Sequence, residues 1–304
     1  MGRGINPTFP FRAGGGINPT LHLKVGRGIK IEIRINIELR MKLFAAFILT
    51  FWIIAVILGQ LLHLNPNHID LNAILSSANS QYWLGADDLG RDILARILSG
   101  VKVSFTVAVF VTLITMTIGV FIGLLAGFYG GKVDNLLMKI TDIFLAFPGI
   151  LLAIAFAAVL GPGITNLMIA LCITGWVSYA RLTRSQTLSL RNRQHVQAAE
   201  SLGASVPRLL IKHILPLLGS ILIVEATYSL ASIMIAEASL SFLGLGIQAP
   251  NASWGAMLRD GVRYMLVAPH YVLIVGLSLM SLILAINLLG DQLRDALDVR
   301  TEGR

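Results

Sequence analysis

Residues 197–216 read QAAESLGASVPRLLIKHILP, a stretch of short, amphipathic, basic helix set between long apolar runs. From His195 to Leu202 the residues are small and helix-favouring. Gly203 is placed to end that helix, Ala204 and Ser205 restart one with Pro207 tolerated in its first turn, and Pro216 opens the next apolar run. The pattern predicts two short helices joined at a glycine. Ala198 and Ala199 give a smooth surface poor in side chains, against which another protein could approach the backbone closely, and Arg208, Lys212 and His213 give a basic flank. An ordinary connecting loop has the same composition, so composition alone leaves both readings open.

The rest of the chain defines what this stretch interrupts. Of its 304 residues 55% are hydrophobic and 13% charged, against about a quarter charged in soluble domains. Six apolar runs approach the roughly twenty residues that a spanning helix needs. They cover 43–62, 103–127, 141–160, 164–180, 217–243 and 269–290. The expectation is an all-α, polytopic membrane protein of about six transmembrane helices. The first helix and an outer segment fill 41–100, the core 101–290 and a tail 291–304.

The net charge of +8 lies between the apolar runs rather than on one face, so it reads as membrane orientation and not as a nucleic-acid surface. Lys and Arg crowd the segment before the first run, the 132–139 link, the 181–212 link and the tail; Asp87, Asp88, Asp92 and Asp260 offset the cations of the opposite side. Both termini and the 197–216 stretch are therefore expected in the cytoplasm, in an inner, plasma-type membrane. On the outer side, Asp92–Ser99 reads as an interfacial helix, serving to position the next span or to help form a docking face.

The first forty residues differ in kind. GINPT occurs at Gly4–Thr8 and Gly16–Thr20, GRGI at Gly2–Ile5 and Gly26–Ile29, and IKIEIRINIEL (29–39) alternates like a strand. The expectation is that Met41 is the natural start and 1–40 a disordered or non-native extension, with a genuine cytoplasmic tail as the alternative.

Four stretches resemble those of a known family. QAAESLGASVPRLLIKHILP resembles the EAA loop of binding-protein-dependent ABC transporter permeases, with Ala198, Ala199, Gly203, Leu215 and Pro216 at the expected places, Gln197 where Glu is usual and His213 where Ile is usual. WLGADDLGRDILARILSGVKVS (Trp83–Ser104), AEASLSFLGLGIQAPNASWGAML (Ala236–Leu258) and NLLGDQLRDALD (Asn287–Asp298) are similar to signatures of the dipeptide, oligopeptide and nickel group, in its C type of subunit. The resemblance implies a type I importer permease fold. It also implies a second homologous permease subunit, two ABC ATPase subunits that bind ATP and Mg, and an extracytoplasmic solute-binding protein. In the family the EAA loop sits in a groove of the ATPase, which makes Gln197, Ala198, Ala199, Gly203, Arg208, His213, Leu215 and Pro216 the coupling residues. Di- or oligopeptides are the first choice of cargo, nickel or a metal chelate the second.

Polar groups inside the runs are few. Glu225 is a candidate for the translocation pathway, the alternative being a hydrogen bond to a neighbouring helix; Glu237 is expected to be structural. Asp142 and Pro148 are expected to mark the start and a kink of the third run, and Asp291, Arg294 and Asp295 to pair or cap beyond the last. GFYGGKVD (Gly127–Asp134) lacks the first glycine and the hydroxyl residue of a phosphate-binding loop. No His or Cys spacing suggests a bound metal, and no GxSxG, HExxH or GxGD motif suggests an enzyme. The chain itself is thus expected to hold no cofactor and to have no catalytic residues.

Overall fold

The computed structural model describes the backbone of residues 19–302 and the side chains of 40–297. The first GINPT and GRGI copies lie outside the described residues, as do the first three residues of the second GINPT copy and most of what bears on reading 1–40 as an extension. Met1–Leu43 and Phe44–Arg304 form separate units. Helix α1 is Pro19–Leu61, so the backbone at 29–39 is helical despite its strand-like alternation. A strand needs a neighbour to take up its N–H and C=O groups, whereas a helix satisfies them within the segment.

The remaining helices are α2 (Ile93–Tyr129), α3 (Gly131–Leu145), α4 (Gly149–Leu160), α5 (Ile164–Leu190), α6 (Gln194–Ser201), α7 (Val206–Arg208), α8 (Leu215–Phe242), α9 (Trp254–Val262) and α10 (Pro269–Glu302). A single π-helical stretch, Leu209–Ile214, joins α7 to α8. Among the described residues the only β pairing is an isolated bridge from Ala86 to Asp92.

Among the described residues four stretches are long and apolar enough to cross a bilayer: Arg40–Leu61, Ile93–Tyr129, Val206–Phe242 and Pro269–Leu297. A fifth results if α3 and α4 count as one bent span. All six expected runs lie on helices, but two of them depart from this measure. The third run is broken at Pro148, with α3 and α4 at 82°, because proline disfavours a helical conformation in the residue before it and cannot donate to a preceding carbonyl. The fourth run is helix α5, whose polar and basic residues lower its hydropathy. The separate outer interfacial helix is also absent: Asp92 accepts from the Leu94 N–H at 2.9 Å and caps α2 itself, so 93–99 are its first turns.

The α2–α5 pair is the spine of the fold. Gly119, Gly123 and Gly127 recur every four residues of α2, so they share one face. A Cβ built on Gly123 would lie 2.6 Å from the Thr183 Cβ, and one on Gly127 would lie 2.7 Å from the Thr187 Cβ. Hydrogen is all that fits, and the helices meet backbone to backbone, the way small residues allow apolar helices to associate in lipid. At the end of α5 that leads into residue 191, Arg184 grips Asp134 of α3 through two bonds, Nη2 to Oδ2 at 2.6 Å and Nε to Oδ1. Arg191 Nη1 donates to the Phe128 carbonyl at 2.5 Å.

The opposite end is closed by Trp254. Its ring is fully buried, lies 5.2 Å from that of Trp52 and donates through Nε1 to the Ile97 carbonyl at 3.1 Å. Asp87 organises the same end: it accepts from the Arg91 Nε at 2.7 Å and pairs with the Arg96 Nε at 3.2 Å. All three side chains are buried, so these two arginines face the interior rather than solvent.

Candidate functional site

The 194–216 segment is anchored by a few apolar side chains and otherwise open. Val196 of α6 is buried in one cluster with Leu190, Leu209, Leu210, Ile214 and Leu218. Gly203 ends α6 in a left-handed conformation, φ +81°, with its N–H on the Glu200 carbonyl at 2.9 Å and the Ala204 N–H on the Ala199 carbonyl at 3.1 Å. That is a Schellman closure with glycine where the positive φ falls, sealed by Ala199 and Ala204 packing against the same cluster.

The helix restarts at Val206 with Pro207 in its first turn and does not stop again before Phe242. The second short helix is thus the leading end of a long one, which differs from two free-standing helices. Pro216 accounts for the π-helical stretch. It has no N–H for the helical ladder, and just ahead of it the Leu215 N–H reaches back five residues to the Leu210 carbonyl, which widens the turn beside the missing donor.

Of the residues singled out in sequence, Gln197, Ala198, Gly203 and Arg208 are exposed and share the outer surface of this segment. Ala199 and Leu215 turn inward to the anchoring cluster, so only Ala198 supplies the expected bare surface. His213 is half-buried, and Pro216 is exposed at the start of α8. Two apolar side chains not anticipated stand out: Leu202 is 89% exposed at the tip, next to Gly203, and Ile211 is 63% exposed. A leucine directly before a helix-ending glycine was the signal available in the sequence.

The two intramembrane acids have opposite surroundings. Glu237 is fully buried and accepts from the Ser104 Oγ at 2.7 Å and the Ser241 Oγ at 2.8 Å, while Ser241 also accepts from the Ile247 N–H at 3.2 Å. It ties α2, α8 and the following turn together, in line with a structural part. Glu225, also on α8, is only half-buried. Beyond the last apolar run α10 continues without a cap. Asp291 accepts from the Tyr228 hydroxyl at 2.6 Å, and Asp142 pairs with Arg181 at 2.5 Å. Outside the spans, burial and then the neighbouring Asp87 and Asp260 raise the Asp88 carboxyl above its ordinary value, with Arg91 opposing. Among the described residues no group of three His, Cys, Asp or Glu side chains is gathered as for a metal.

The family described as binding-protein-dependent transport system inner membrane component matches residues 119–303. The chain belongs to this family, and it is an ABC importer permease of the dipeptide, oligopeptide and nickel group. It is 44% identical over 232 residues to the glutathione transport system permease protein GsiD of Pectobacterium atrosepticum, covering 76% of this chain and 77% of that one. Against the GsiD protein of Escherichia coli it is 43% identical over 237 residues, 78% of each. A chain of the MetNI methionine ABC transporter, solved in inward-facing conformations, superposes with TM-score 0.54 at 19% identity, covering 66% of this chain and 95% of that one. The shared fold is that of a type I importer permease.

Proposed function

We propose that this subunit, with a second homologous permease, forms the membrane pathway for di- or oligopeptides handed over by an extracytoplasmic solute-binding protein. Two ABC ATPase subunits, which bind the ATP and Mg, drive it from the cytoplasmic side, where both termini lie. The observation that carries this reading is the unbroken helix from Val206 to Phe242. Arg208 lies on that continuous helix, and the exposed face of Gln197, Ala198, Leu202 and Gly203 is tied to it through Val196, which packs with Leu209, Leu210 and Ile214, so a motor docked there can tilt the span. Arg208 and Lys212 supply a basic flank to that face, and His213 and Pro216 lie where the lever joins the span. Peptide is favoured as cargo because the GsiD relatives are named for glutathione, itself a tripeptide.

The test is hydrolysis of ATP by the four-subunit complex in proteoliposomes, stimulated by peptide-loaded binding protein, comparing wild type with Leu202→Glu. Because Leu202 is almost fully exposed, the variant is expected to fold and insert normally. Loss of stimulated hydrolysis and of peptide uptake, with the ATPase co-purifying about tenfold less, supports docking at the loop. Normal uptake would place the motor contact elsewhere, and uptake of nickel in place of peptide would reassign the cargo.

A further inference from the structure

The apolar runs 43–62 and 103–127 reach the membrane boundary side by side, the first where it ends and the second where it begins. Between them, at the last turns of α1 and the early turns of α2, lies a cavity of about 260 Å³ whose walls include Val56, Gln60, His63, Leu98, Ser99 and Lys102. The two helices touch at its edge, where a Cβ on Gly59 would lie 2.7 Å from the Leu98 Cδ1. Just beyond, α1 turns away at His63, whose φ is +51°. The His63 Nδ1 donates to the Gln60 carbonyl at 3.0 Å, and Arg96 Nη1 donates to the Pro66 carbonyl at 3.2 Å, so these two backbone acceptors of the wall are already engaged. No Asp or Glu lines the cavity. Lys102 is exposed and among the described residues forms no ion pair. A cleft at the edge of the hydrocarbon thus carries one cation and no anion to match it.

We propose that this cavity holds the phosphate head group of an anionic phospholipid, with Lys102 paired to the phosphate and Gln60 and Ser99 as neutral donors beside it. A lysine ammonium binds phosphate as a point charge, and the amide and hydroxyl add N–H and O–H donors. The volume falls below the roughly 300–1,000 Å³ of pockets that enclose a whole small molecule, which suits a head group whose chains stay outside. Ile57 of α1 and Phe105 of α2 are exposed. Each lies three residues from Gln60 or Lys102, on the same helix face and one turn nearer the bilayer centre, where it offers an apolar surface to the acyl chains. The assignment goes beyond the transport reading and is independent of the cargo.

The experiment is native mass spectrometry of the complete complex in detergent, titrated with phosphatidylglycerol, for wild type, Lys102→Gln and Lys102→Arg, after co-purification shows equal assembly. Wild type is expected to retain one lipid per copy of this subunit that Lys102→Gln releases, with the apparent Kd for it raised about tenfold by loss of one charge-assisted contact. Lys102→Arg keeps the charge and should restore most of the affinity. Phosphatidylcholine, whose own ammonium offsets its phosphate, should bind several-fold more weakly than phosphatidylglycerol. Equal retention by wild type and Lys102→Gln, or no preference between the two lipids, overturns the assignment. Displacement of the lipid by millimolar inorganic phosphate would give the site to a soluble phosphate instead. Unchanged lipid retention together with weaker capture of the solute-binding protein would place Lys102 in a protein contact and overturn the assignment as well.

Discussion

Gly123 of α2 and Thr183 of α5 approach so closely that a methyl group on the glycine would sit 2.6 Å from the threonine Cβ. Backbone stands behind that contact, since the Arg184 nitrogen is 2.9 Å from the same point, and the seam cannot relax by moving one flexible side chain. Gly123→Ala is therefore expected to destabilise the protein by about 1–3 kcal/mol, the usual range for overpacking, and Gly123→Val by more. Gly219, with nothing within 4 Å of a Cβ, should accept alanine without loss. Thermal unfolding in detergent of the three variants checks this.

Arg184 holds α3 to α5 through a two-pronged contact with Asp134, whose side chain is only 12% exposed. Removing the guanidinium leaves a largely buried acceptor unpaired, a loss of about 1–3 kcal/mol. Arg184→Lys keeps the charge but not the fork and should recover only part of it. A double-mutant cycle with Asp134→Ala should show the two losses to be non-additive.

Asp88 carries a pH signature. Its folded-state carboxyl titrates above the ordinary value because burial and then the nearby Asp87 and Asp260 disfavour its charge. The folded protein therefore holds that proton more tightly than the unfolded chain. The resulting stability is present below the ordinary carboxylate range and is lost as pH rises through the raised value. Asp88→Asn should consequently be more stable than wild type at pH 7, and the advantage should vanish below about pH 4. Unfolding midpoints from pH 4 to 7 measure it.

Gly203 supplies the left-handed residue of the α6 closure. Its surroundings are open, so a substitution strains only the backbone, by about 1–2 kcal/mol. Gly203→Val should leave global stability nearly intact while unseating α6. Peptide-stimulated ATP hydrolysis is then expected to fall at least tenfold; full stimulation would show that the closure is not needed for coupling.

Much of this was legible in one dimension because its causes are local. The helix stop at Gly203, the restart at Pro207 and the break at Pro148 each follow from what a single residue permits its own backbone to do. Leu202, lying beside Gly203, was local too, but an exposed apolar tip cannot be told from a buried one until the anchoring cluster beneath α6 is known. The spans at the ends of the chain followed from apolar length alone. The fourth run is helix α5, which keeps polar groups by packing Thr183 and Thr187 against α2 and Arg184 against Asp134 of α3, partners that hydropathy summed along the chain does not show.

By itself, then, the sequence determined a helical membrane protein, the family motifs and the bounds of the candidate lever, since composition, turn chemistry and motif spacing are properties of the chain in order. Tertiary structure alone decided that Gly119, Gly123 and Gly127 form one seam, that Arg184 reaches Asp134 across fifty positions, and that Glu237 is satisfied while Glu225 is not. These depend on which helix faces are brought together. A side chain's partners across a packed interface are set by the distance and rotation between helices, and no single segment encodes either.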